Sequence, residues 1–113
     1  LVQVMSGGMA DAIVDVRPGS PGFGRHLRVE LDARDGWQLF VPRDFLHGFV
    51  TLEADTRVLY KVDQPWSAQA ERSVRWDDPD LAIDWAWSGP VVVSSKDIAG
   101  QSFAGYRQSV APR

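Results

Sequence analysis

Apolar and polar residues alternate with a period of two through the first half of the chain, which is the mark of strands with one face buried. In HLRVELD, Leu27, Val29 and Leu31 fall on one face and Arg28, Glu30 and Asp32 on the other. In ADAIVDV, Ala10, Ala12, Val14 and Val16 share a face, opposite Asp11, Ile13, Asp15 and Arg17. In TRVLYKV, Val58, Tyr60 and Val62 stand together against Arg57, Leu59 and Lys61. The opening residues alternate in the same way, Leu1 and Gln3 against Val2 and Val4, with no initiator methionine, as though the chain were cut in mid-strand.

Turn chemistry separates these runs at short intervals: SGG at 6–8, RPGSPGFG at 17–24, ARDG at 33–36, EADT at 53–56 and DQP at 63–65. No segment before residue 77 sustains a helical period. DDPDLAI combines an acidic N-cap with proline at the first helical position and predicts one helical turn, and SSKDIAG predicts another. Many short strands with turns between them predict an all-β fold, a cupin-like jelly roll or β-barrel with one or two short C-terminal helical turns. With no repeat and no linker, residues 1–113 read as a single domain.

Composition narrows the functional classes. A net charge of -3 argues against a nucleic-acid or anionic-membrane surface. The chain has no cysteine, which excludes disulfides, thiolate catalysis and Cys-ligated zinc, and leaves a reducing cytoplasm as the default compartment. No apolar run approaches the roughly 20 residues of a membrane-spanning helix. The two histidines, His26 and His47, are far apart and have no glutamate at a ligand-like spacing, so a metal centre is not expected.

Four positions could carry chemistry. Tyr60 lies on the valine face of its strand, where it is either a core tyrosine bonded to a carbonyl or a tunable acid. His47, in DFLHGFV, shares a parity with Phe45 and Phe49 and precedes a glycine that would let the backbone approach a ligand. Trp66 follows a proline in a turn, as a lid over a flat ring or a packing cap. Asp97, three residues after Ser94, also fits a capping box at a helix start. Periodicity and spacing lead no further than a β-barrel with a polar pocket.

The blocks DAIVDVRPGSPGFGRHLRVEL, QLFVPRDFLHGFVTL, VLYKVDQPWSAQAERSVRWDDPDLAIDW and SSKD resemble, in order and spacing, the dTDP-4-dehydrorhamnose 3,5-epimerase family. The resemblance implies a cupin-type homodimer acting without metal or cofactor on a dTDP-linked 4-keto-6-deoxy sugar. Such a ketone acidifies the neighbouring C–H bonds, so a base can remove a proton and an acid on the opposite face can return it. The match to LYK implies that Tyr60 is the acid. The match to S-x-K-D implies that Asp97 partners the basic histidine. By the same route His47 and Asp11 are pocket residues, Trp66 stacks on thymine, and Glu71 and Lys96 contact the nucleotide. The family's R-G-L-H block, which carries the base, and a pocket lysine both fall before Leu1. The chain is therefore expected to be an epimerase domain lacking its N-terminal strands, with an inactive sugar-nucleotide-binding cupin as the alternative.

Overall fold

The computed structural model describes residues 1–62, 73–85, 87 and 91–110. Six strands form: β1 (Val2–Ser6), β2 (Gly8–Asp15), β3 (His26–Asp32), β4 (Gln38–Leu39), β5 (Phe45–Thr51) and β6 (Arg57–Tyr60). Two helices follow, α1 (Ser95–Ile98) and α2 (Phe103–Val110). The strands make two antiparallel three-stranded sheets, ordered β4-β1-β6 and β3-β2-β5. The expected all-β, cupin-like architecture is what the chain adopts. The turn at 6–8 joins the sheets through Gly7, whose φ of 77° suits glycine and where a Cβ would stand 2.4 Å from Thr56 Oγ1.

β2 is the central strand of its sheet and is buried on both faces, so its alternation does not separate core from solvent. On the inner side Met9 and Leu31 pack with Val2 and Val4 of the other sheet, with Val29, Leu39, Val41 and Val58 at the margin. On the outer side Val14 and Val16 pack with Leu81, Phe103 and Tyr106, supported by Phe23, Leu46, Val74 and Ile83. The C-terminal segment thus covers the face that would otherwise meet water.

Two helical expectations resolve differently. SSKDIAG forms α1, and the Ser94 side chain accepts a hydrogen bond from the Asp97 backbone N–H at 3.2 Å, the cap that its spacing suggests. DDPDLAI forms turns and no helix, because Ala82 takes a φ of 49° and the buried Asp78 carboxylate is committed elsewhere. It accepts the backbone N–H of Asp80 (2.8 Å), Leu81 (3.2 Å) and Phe103 (2.8 Å), tying this turn to the first residue of α2. α2 itself went unforeseen. Eight residues are too few for a helix that is stable alone, and it exists because Phe103 and Tyr106 bury against the outer face of the sheet.

Candidate active site

Three cross-strand rows on the inner face of the β3-β2-β5 sheet run from a closed end to an open one. Thr51, Met9 and Leu31 form the first row, Phe49, Asp11 and Val29 the second, and His47, Ile13 and Leu27 the third. Met9 and Leu31 are sealed by the facing sheet, whereas Leu27 is 55% exposed. Leu27, Val29 and Leu31 share this face as their alternation predicts, but burial along it is uneven: the apolar cluster reaches Val29 and stops short of Leu27. Chemistry-bearing side chains occupy the second and third rows, where the sandwich opens.

Asp11 is completely buried, and among the described residues its carboxylate oxygens receive no hydrogen bond from the backbone or from any side chain other than His47. His47 Nε2 lies 2.5 Å from Oδ1, an ion pair when the imidazole is protonated. The two residues belong to neighbouring rows on adjacent strands, a diagonal that long side chains can span. A buried carboxylate in so spare a setting is costly to fold. Such a cost marks a group kept for function.

Tyr60 reaches the same place from the opposite sheet. It pairs with Val2 on the inward face of β6, and its ring stands edge-on to the imidazole of His47, 6.4 Å between centroids at 76°. Phe49 completes a triangle, 6.3 Å from His47 and 6.3 Å from Tyr60. The reading of Tyr60 as a bonded core residue does not hold: it is 48% exposed, and no hydrogen bond to its hydroxyl is found among the described residues. Val62, its expected companion, lies beyond the end of β6 and is 80% exposed. Burial raises the Tyr60 pKa above its ordinary value by stripping water from the phenolate, and the Asp11 carboxylate adds to the rise by opposing a second negative charge. The phenol keeps its proton at neutral pH and can donate it.

Of the remaining expected residues, only Asp97 has a described side chain, and it is not joined to this group. Asp97 is exposed on α1, and no contact links it to Asp11, His47 or Tyr60 among the described residues. Lys96 is on α1 too, but its side chain, like Trp66 and Glu71, lies outside the described residues. Phe49 was visible in the sequence only as a residue of the same parity as His47. Among the described residues no three His, Asp or Glu side chains come together as metal ligands. A hollow of about 630 Å³ between Phe23, Arg25, Phe103 and Arg107 contains none of the residues of this group.

A family model described as dTDP-4-dehydrorhamnose 3,5-epimerase matches residues 1–105. The chain belongs to this family. It is 46% identical over 97 residues to the dTDP-4-dehydrorhamnose 3,5-epimerase of Sinorhizobium fredii, covering 86% of this chain and 50% of the relative. Among solved structures, a dTDP-6-deoxy-D-glucose-3,5-epimerase from Legionella pneumophila in complex with dTDP-4-keto-L-rhamnose superposes with a TM-score of 0.92 at 36% identity, over 99% of this chain and 60% of that one. A 3'-monoepimerase from Streptomyces bikiniensis in complex with dTDP-quinovose superposes with a TM-score of 0.80 at 29% identity, over 98% of this chain and 57% of that one. The chain spans about half the length of the epimerases it matches.

Proposed function

We propose that this chain is the acid-bearing part of an epimerase that inverts C3, C5 or both in a dTDP-linked 4-keto-6-deoxy sugar. The observation that carries the reading is Tyr60 edge-on to His47 at the open end of the sandwich, with the buried Asp11 carboxylate behind the imidazole. The phenol, still protonated at neutral pH, delivers a proton to the enolate carbon. Its 48% exposure lets the resulting phenolate recover a proton from solvent. His47, turned to Asp11 through Nε2, is held to bond the sugar, and its charge when protonated offsets that of the enolate.

Around this centre, Asp97 orients the opposing base, which the family pattern puts upstream of Leu1, while Trp66, Glu71 and Lys96 hold the nucleotide. A homodimeric, cytoplasmic enzyme working without metal or cofactor completes the proposal. Its support is family membership. Residues 1–113 form one domain within it.

The test is Tyr60→Phe in the full-length protein, with solvent deuterium incorporation at C3 and C5 followed by NMR. Epimerisation is expected to fall by about 10²- to 10⁴-fold while calorimetry shows dTDP still bound. Unchanged turnover overturns the assignment of Tyr60, and dTDP binding without any exchange in the unmutated protein identifies a binding domain instead of an enzyme.

A further inference from the structure

Directly behind the candidate site, on the outer face of the β3-β2-β5 sheet, lies a dent. Val14 pairs with Leu46 on that face, but the next row consists of Ala12 and Gly48, the smallest pair along the two strands. Into it packs Trp85: a Cβ built on Gly48 would stand 3.3 Å from Cη2 and 3.9 Å from Cζ2 of the indole. The first distance is tighter than a side chain normally tolerates, so either the ring or the strand must give way to a methyl group. Gly48 has no positive φ to require glycine. The indole, and not the backbone, is what demands it.

Trp85 is itself tethered, since its Nε1–H donates to the Trp76 carbonyl at 3.0 Å. The same covering segment is anchored nearby by Ile83 and Leu81 in the outer cluster. Ala12 lies between Asp11 and Ile13, and Gly48 between His47 and Phe49. The side chains flanking the dent therefore emerge on the opposite face as the second and third rows of the site.

We propose that Trp85 is a positioning residue, whose ring seats β5 against β2 so that His47 keeps its contact with Asp11. The proposal rests on the epimerase reading for its catalytic consequence only. The seating is a property of the free protein. A 1 Å misplacement of a site group can cost about 10²-fold in rate, so a shift of a few tenths of an ångström in β5 is expected to register in kcat before it registers in ligand affinity.

The experiment compares Gly48→Ala, Trp85→Phe and the double variant in the full-length protein. In each, the imidazole N–H proton resonance of His47, which a short contact to a buried carboxylate moves far downfield, is followed without substrate, alongside kcat and KM. Each single variant is expected to move or broaden that resonance and to lower kcat about tenfold with KM little changed. The double variant, in which the alanine methyl occupies space that the shorter phenyl ring vacates, is expected to recover both. A resonance and kcat unchanged in Trp85→Phe overturn the proposal, as does a double variant no better than Gly48→Ala. Should Gly48→Ala fail to fold, Trp85→Phe alone decides by the same readout. Because the resonance is read without turnover, an unmutated protein with no epimerase activity would overturn the functional reading and leave this one standing.

Discussion

The two faces of the β3-β2-β5 sheet each bury a carboxylate near their apolar cluster, and the two carboxylates are treated in opposite ways. Asp78, which serves the outer face, accepts three backbone N–H groups and ties the 78–81 turn to α2. Burial raises its pKa, but those three bonds and the charge of Arg75 outweigh burial, and the net shift is downward. Asp11, on the inner face, receives no backbone hydrogen bond and, among the described residues, is met only by the His47 imidazole. A fully satisfied buried carboxylate works as a structural clasp. One left bare beside an imidazole and a phenol forgoes stability for reactivity.

The largest effect should come from breaking the outer face. Phe103→Ala removes a buried ring from the cluster that holds α2 and is expected to cost about 3–5 kcal/mol in chemical denaturation, while the folded fraction keeps its specific activity. On the inner face the signs reverse. Asp11→Asn is expected to lower turnover by about 10²-fold and to leave the unfolding midpoint level or higher, since it removes a fully buried charge whose one charged partner among the described residues is the His47 imidazole. A fall in midpoint comparable to that of Phe103→Ala would erase the contrast between the faces.

A smaller effect appears in acid. The Asp15 carboxyl is held well below its usual range, first by the Arg17 side chain, whose guanidinium donates two hydrogen bonds to it, with the Arg17 backbone N–H and the Ser20 hydroxyl donating one each. Asp78 is lowered for the reasons above. Both folded pKa values lie below those of the unfolded chain, near 3.9, so their stabilisation is complete above that value and is lost as pH falls through the folded values. Denaturation midpoints measured from pH 6 downward should stay level to about pH 4 and then drop. Asp78→Asn, expected to cost about 1–3 kcal/mol at neutral pH, should flatten that drop.

The smallest effect isolates the link between Asp11 and Tyr60. Followed by ultraviolet absorbance, Tyr60 should ionise above the ordinary tyrosine value near 10. Because its folded pKa is raised, its contribution to stability is present below that value and is lost as pH climbs through the folded one. Asp11→Asn should bring the ionisation part of the way down, leaving the share due to burial. No movement on that substitution would mean that the carboxylate and the phenol are independent.

The amino-acid pattern by itself determined β1, β2, β3 and β6, the turns at 6–8, 17–24, 33–36 and 53–56 and the α1 cap, because each depends on neighbours a few residues away. Resemblance across several blocks determined the family and singled out Tyr60, His47 and Asp11. The tertiary structure decided which polar residues of β2 are buried, since a central strand with both faces covered looks like a half-exposed one in its alternation. It also decided that Leu27 and Val62 face solvent, that DDPDLAI turns back under a clasp from Asp78, and that α2 forms at all. The His47–Asp11 pairing, and the indole of Trp85 behind it, arise between residues dozens of positions apart. Such contacts are set by strand register and sheet packing, which no local pattern encodes.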